Sequence, residues 1–404
     1  MNNSGEINQQ AVLLQELLIY RDITAEPLIR PLLAPTSGPH HFSYAGWFGA
    51  LLEQYPDAPN PWSALLRDAV LGAENHFSLA CERGGFAALP IRIKAAVLSD
   101  LRVLSKLSQW HPGSSFALDP PRQETVPAVI REDAPESKME WLARYYAEHG
   151  AGRLGRYSAF IWRSPSGCFA PVAFPDPITF ANLIGNAYQK GVLLQNTRQF
   201  LQGLPANNVL LYGDRGTGKS SAIKAVGNEF AAQGLRLIEV NKDDLADFPD
   251  IIAQLRQRGL KFLIYVDDLS FETSETQYKH LKAVLEGGVE AKAANVLIYA
   301  TSNRRHLIRE TFEAREAEIH GNDAVQEQLS LADRFGVTLT FMSPDQEEYL
   351  AIVRGLAEQR GIDLAGGILA ARAIEWERRQ NGRSGRTARQ FIDHLQGELG
   401  LNSQ

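Results

Sequence analysis

From Gly213 the chain reads GDRGTGKSS, which fits the spacing G-x-x-x-x-G-K-S/T with no position missing. That spacing suits one kind of chemistry, the gripping of phosphate oxygens. Glycines at Gly213, Gly216 and Gly218 let backbone N–H groups curl around an anion. The cradle comprises Gly213, Asp214, Arg215, Gly216, Thr217, Gly218, Lys219, Ser220 and Ser221. The Lys219 ammonium reaches the β- and γ-phosphates, and the Ser220 hydroxyl can ligate magnesium. Such a loop needs an acidic partner, and FLIYVDDLSFE supplies it. Asp267 ends an apolar run, where its carboxylate can hold the magnesium shell. Asp268 follows and can polarise an attacking water; Glu272 is its rival, and Asp268 is favoured. NVLIYATSN then places the side chain of Asn303 at the tip of a further strand, where it can bond the γ-phosphate or orient the water.

The elements around these residues fit the chemistry. NNVLLYG is an apolar strand running into the glycine loop, and KSSAIKAVGNEFAAQG is the helix leaving it. The helix turns its positive end toward the same anion. LRLIEVN, KFLIYVDD, ANVLIYATSN and VTLTFM are further strands, separated by helical segments, with a helical insertion before the last. Strands that alternate with helices and are apolar throughout imply a parallel sheet covered on both faces.

The rest of the chain supplies no second chemistry. Residues 1 to about 117 read mostly as helix, with Asn60 and Pro61 marking one helix entry. Residues 112–136 are rich in proline and charge and read as a linker. YSAFIWR and CFAPVAF flank SPSG and predict a β-hairpin that closes this region. After Ser343, SPDQ predicts a serine-capped helix entry, followed by three helices. The expected division is a mainly helical domain over 1–175, a nucleotide-binding α/β core over 176–342 and a helical lid over 343–404.

The 404 residues carry a formal net charge of -6, which argues against binding nucleic acid by bulk charge and leaves a local basic patch open. Two isolated cysteines, Cys81 and Cys168, fit a reducing compartment and no clustered metal site. No leader segment and no apolar run of ~20 residues is legible, so the expectation is a cytoplasmic chain without a membrane span.

The order of parts resembles an AAA+ ATPase over roughly Asp176 to the C-terminus. More narrowly, NNVLLYGDRGTGKSS, DDLSFE, ATSNRRHL, LADRFG and GRSGRTARQF together resemble a bacterial family of AAA+ ATP-binding proteins of unknown function. The resemblance implies a P-loop NTPase fold with a helical lid, ATP and Mg2+ as ligands, and slow hydrolysis. It implies that Asn303 is the polar sensor, that Arg334 is a finger reaching a neighbouring subunit, and that Arg386, or else Arg389, is the lid sensor. It also places Ile184 and Gly185, within the LIG at 183–185, in the adenine pocket. The acidic pair departs from the superfamily's usual Asp-Glu, which touches the rate of hydrolysis more than the binding of ATP. Arg304 and Arg305 suit the site, a subunit interface or a polyanion equally, while Lys279 and Lys282 read as solvated.

A finger acting in trans implies a homo-oligomer. Three roles follow: a protein-remodelling machine, a nucleic-acid-linked loader of the initiator kind, and a nucleotide-gated scaffold whose N-terminal domain binds a protein partner. NKDDLADFPD lacks an aromatic-glycine pair of the pore-loop kind, which lowers the first. The third is slightly favoured.

Overall fold

The computed structural model describes residues 3–33, 43–113, 134–269, 271–272, 277–286, 292–303, 308–309, 333–380 and 382–402. They divide into two compact units, Met1–Arg156 with Arg258–Leu260, and Tyr157–Gln257 with Lys261–Gln404.

In the first unit, α1 (Asn3–Gln15), α2 (Tyr44–Gln54), α3 (Pro61–Leu71), α4 (His76–Glu82), α5 (Ile91–Ser108), α6 (Pro135–His149) and α7 (Gly152–Arg156) surround an aromatic core. The entry at Asn60 forms as the sequence predicts. Its Oδ1 accepts from the N–H groups of Trp62 and Ser63 at 3.1 and 3.2 Å, with proline at the first turn. Trp47 stacks on Trp110 with ring centroids 5.6 Å apart, and Trp62 meets Trp110 edge-on at 5.3 Å and Trp47 at a tilt at 6.2 Å. The one deeply buried carboxylate of α5, Asp100, accepts three backbone N–H bonds from Leu18, Ile19 and Tyr20 at 2.8–2.9 Å. It serves as a cap for the chain after α1. Buried Glu82 binds Arg258 in a fork, at 2.9 and 2.7 Å, and also accepts from the N–H groups of Ala151 and Gly259.

The second unit is built on a seven-stranded sheet of order β2-β1-β4-β5-β7-β3-β9. Its strands are β1 (Ala159–Arg163), β2 (Cys168–Pro171), β3 (Val209–Gly213), β4 (Leu235–Glu239), β5 (Lys261–Val266), β7 (Val296–Ser302) and β9 (Val337–Phe341). Two short strands, β6 (Phe271–Glu272) and β8 (Ile308–Arg309), pair separately. All pairings in the large sheet are parallel except that of β1 with β2. The predicted hairpin forms, but it adds to this sheet: Phe160 pairs with Ile238 of β4 in parallel. This places residues 157–175 with the α/β unit, whereas the sequence reading ended the helical domain at 175. The physical reason is that Phe160 and Trp162, two positions apart on one face of β1 and both buried, form part of the sheet's covered surface once β1 pairs with β4.

Helices α8 (Ala187–Leu201), α9 (Lys219–Phe230), α10 (Phe248–Arg256) and α11 (Gln277–Glu286) flank the sheet. The C-terminal helices α12 (Gln346–Gln359), α13 (Gly366–Arg379) and α14 (Gly385–Asn402) have a core of their own around Tyr349, Val353, Leu369, Phe391 and Leu395. The cap of α12 is Asp345, two residues beyond the serine expected. Asp345 Oδ1 accepts from Glu348 N at 2.9 Å, and Glu348 Oε2 accepts from Asp345 N at 3.1 Å. Ser343 N donates instead to Asp214 Oδ2 at 2.9 Å, tying the start of this segment to the glycine loop.

Candidate functional site

Three parallel strands bring the chemistry together. β3 lies between β7 and β9, and β5 lies on the far side of β7. Their carboxyl ends therefore present Gly213, Ser302 and Val266 side by side, with the glycine loop, Asn303 and Asp267 just beyond. This edge is where open α/β sheets hold ligands.

The loop's backbone follows from its glycines. Gly213 has φ +136°, and a Cβ there would stand 1.9 Å from the Phe341 carbonyl oxygen of β9. Gly218 has φ +97° at the N-cap of α9, a conformation that a side chain would strain. The bend leaves the positive end of a 12-residue helix facing the loop. Thr217 Oγ1 closes the turn by donating to the Asp214 carbonyl at 2.8 Å.

Lys219, 6 % exposed, donates to the carbonyls of Gly213 and Asp214 at 2.8 and 2.7 Å and to Asn303 Oδ1 at 3.1 Å. Burial lowers its pKa, while Asp214, Asp267 and Asp268 pull the other way. Asn303 turns its amide nitrogen to Asp268 Oδ1 at 2.6 Å, so a single side chain joins the lysine to the second carboxylate. Ser220 Oγ donates to Asp267 Oδ1 at 2.7 Å. Thr301 Oγ1 donates to the same oxygen at 2.6 Å and accepts from Asp268 N at 2.9 Å. Burial pushes the Asp267 carboxyl up, but the Thr301 bond, the adjacent Tyr265 hydroxyl and the Ser220 bond outweigh it and hold the group below its usual range. Asp268 has φ +48°, a left-handed backbone that aims its side chain off the strand end toward Asn303.

A cavity of about 670 Å³ opens onto this edge. Its walls include Ile184, Gly185, the loop from Arg215 to Ser221, Asp267, Asp268 and Asn303. The C-terminal helices add Ile352, Arg386 and Arg389. Arg386 N donates to the Gly216 carbonyl at 3.2 Å, which seats the start of α14 on the loop. Arg386 and Arg389, both of α14, line the cavity. Arg334 is exposed before β9 and is not part of the cavity wall. Gly213 and Asp214 support the loop from behind it. The Glu272 side chain, Arg304, Arg305 and the Lys279 side chain lie outside the described residues.

The oxygen donors fit a hard divalent cation. A serine hydroxyl and a carboxylate 2.7 Å apart suit Mg2+, which keeps several waters and takes its other ligands from phosphate. Among the described residues no cluster of three or more His, Cys, Asp or Glu side chains suits a metal held by protein alone. The sequence singled out Ser220, Asp267 and Asn303. It passed over Thr301 as a supporting group, because a threonine at a strand end reads as ordinary β-propensity.

The strand order, the glycine loop and the helical lid define a P-loop NTPase fold of the AAA+ class. Within that class, the chain belongs to the family described as "Protein of unknown function (DUF815)", whose model matches residues 155–399. No curated protein matches the chain in sequence. Among solved structures, the Thermotoga maritima RuvB Holliday junction branch migration motor is 16% identical over 56% of this chain and 67% of that one, with a TM-score of 0.39. A single-residue variant of the same RuvB scores 0.41 at 14% identity, over 56% and 67% of the two chains. The FIGL-1 AAA domain in complex with ADP scores 0.38 at 20% identity, over 53% of this chain and 70% of that one. Among the described residues, no helix is long and apolar enough to cross a membrane.

Proposed function

We propose that the chain binds ATP with Mg2+ and hydrolyses it slowly to ADP and phosphate, coupling the nucleotide to assembly and to a protein partner. The observation that carries this reading is the bridge of Lys219 to Asn303 to Asp268, set beside the Ser220–Asp267 pair on the wall of one cavity. A lysine that grips phosphate, a polar sensor and a carboxylate able to orient water are thereby within one hydrogen-bond chain.

The adenine would rest against Ile184 and Gly185, and the triphosphate on the loop from Gly213 to Ser221. Ser220 and Asp267 would hold the metal, which neutralises charge on the phosphates. Asp268 would orient the attacking water. Lys219, Asn303 and Arg386 would stabilise the charge that builds on the transferred group, with a neighbour's Arg334 acting as a finger worth ~10³-fold or more in rate. The exposure of Arg334 away from its own cavity supports action in trans. The N-terminal unit, outside the span of the family match for nearly its whole length, is the proposed partner-binding part.

The test is phosphate release from ATP by the full chain, paired with sedimentation. Wild type should release phosphate only with Mg2+ and should form ATP-dependent oligomers. Asp268→Asn should keep ATP binding and assembly and lose release. A chain that stays monomeric with ATP, or an Asp268→Asn protein that hydrolyses like wild type, contradicts the reading.

A further inference from the structure

Tyr265 is the fifth residue of β5, two positions before Asp267, so the two side chains leave the strand on the same side. It is 1 % exposed and packs in the core beneath α9, with Ala222, Ile223 and Val226. Its ring therefore lies under the first turn of the helix that carries Ser220. Yet its hydroxyl has no hydrogen-bond partner among the described residues. It lies within reach of Ser220 and Asp267 without forming a well-directed bond to either. A buried phenol left unsatisfied costs about 1–3 kcal/mol, and a phenylalanine would fill the same volume without that cost. The hydroxyl needs a reason, and its position under the Ser220–Asp267 pair supplies one.

We propose that Tyr265 is a positioning residue for the divalent cation of this site, its hydroxyl donating to the Asp267 carboxylate when Ser220 and Asp267 take up the metal. Asp267 Oδ1 already accepts from Ser220 and Thr301, two bonds that fix one oxygen and leave the carboxylate's rotation about that point loose. A third donor from beneath fixes the plane. Carboxylates that serve a metal are held in this way by partners that do not touch it. The hydroxyl stands close to the carboxylate without a directed bond; a cation that draws Asp267 into its shell would turn the carboxylate so that it accepts from Tyr265. The inference rests on the proposed nucleotide site, and its test separates the two.

The experiment compares wild type with Tyr265→Phe as full chains, in three measurements. These are the melting temperature without nucleotide, ADP binding in excess chelator, and the Mg2+ concentration that half-saturates the enhancement of ADP binding. The expected result is a melting temperature equal to or above that of wild type and unchanged ADP binding in chelator. The half-saturating Mg2+ should be raised about tenfold, the lower end for loss of such a partner. Tyr265→Trp is not needed as a control, because Tyr265→Phe removes one atom and leaves the packing intact. A half-saturation equal to wild type overturns the inference, as does a loss of ADP binding that is the same with and without Mg2+. Wild type failing to bind ADP under any condition overturns the nucleotide site itself, and this inference with it.

Discussion

The Thr301 hydroxyl serves two masters in the candidate site, and its removal has a calculable effect. It is 2 % exposed, donates to Asp267 Oδ1 at 2.6 Å and accepts from Asp268 N at 2.9 Å. Thr301→Val keeps the shape and deletes both bonds. A bond to a charged acceptor contributes about 1.5–3 kcal/mol, and an orphaned buried N–H costs about 1–3 kcal/mol. Asp267 and Asp268 are open to solvent on the cavity side, which screens the first and lets water meet the second, so the low ends apply. The low ends sum to about 2.5 kcal/mol, or a fall of roughly 5–10 °C in melting temperature for a unit of this size. The pH dependence has a definite sign. The Asp267 carboxyl is held below its usual range in the fold, so its contribution is complete above the unfolded pKa and is lost as pH falls through the folded one. Thr301→Val lets that pKa rise. The gap between wild type and variant should therefore be widest at neutral pH and narrow in acid. Thermal melts of the nucleotide-free proteins from neutral pH into acid read this directly. Equal melting at neutral pH, or a gap that does not narrow in acid, would refute the reasoning.

Two further expectations follow from the same physical chemistry. Glu82→Gln leaves the buried Arg258 guanidinium with only the Glu74 carboxylate, at 3.4 Å, and the loss of its charged hydrogen bonds should destabilise the N-terminal unit by about 1.5–3 kcal/mol, seen as a lowered melting temperature. Burial pushes the Glu82 carboxyl up, but Arg258 and two backbone N–H bonds pull it below its usual range, so wild type should lose this support as pH falls through the folded pKa. Arg334→Ala and Asp268→Asn should each fail to release phosphate alone. A mixture should recover part of the activity if the finger acts in trans, because one subunit then offers an intact site and its neighbour an intact arginine. A mixture as inactive as its components contradicts that arrangement.

Much of the α/β unit is legible in the sequence, because its signals are local. The glycines of the loop are required by backbone shape, and the five apolar runs at 209–213, 235–239, 261–266, 296–302 and 337–341 need cover on both faces. What stayed hidden depends on distant partners. Nothing local in AFIWR says that β1 pairs with β4, some 75 residues on. Arg258 reads as a helix-ending charge, and its carboxylate at Glu82 comes 176 residues earlier. Ser343 and Asp345 are both credible caps by type. The N–H of Ser343 is claimed by Asp214, and that contact crosses 129 residues. The site itself divides the same way. Ser220, Asp267 and Asn303 could be found by spacing and order. The bridging of Lys219 and Asp268 by Asn303, and the bracing of Asp267 by Thr301, appear only once β3, β5 and β7 are side by side.

The central claim is that the loop ahead of α9 holds a nucleoside triphosphate with magnesium. Calorimetric titration of the full chain with ATP and Mg2+ tests it most directly, with Lys219→Ala as comparison. The account predicts one site per chain in wild type. It also predicts affinity at least about tenfold weaker in Lys219→Ala, since a charged hydrogen bond to phosphate contributes about 1.5–3 kcal/mol. Wild type that takes up no ATP, or a Lys219→Ala protein that binds it equally well, contradicts the account.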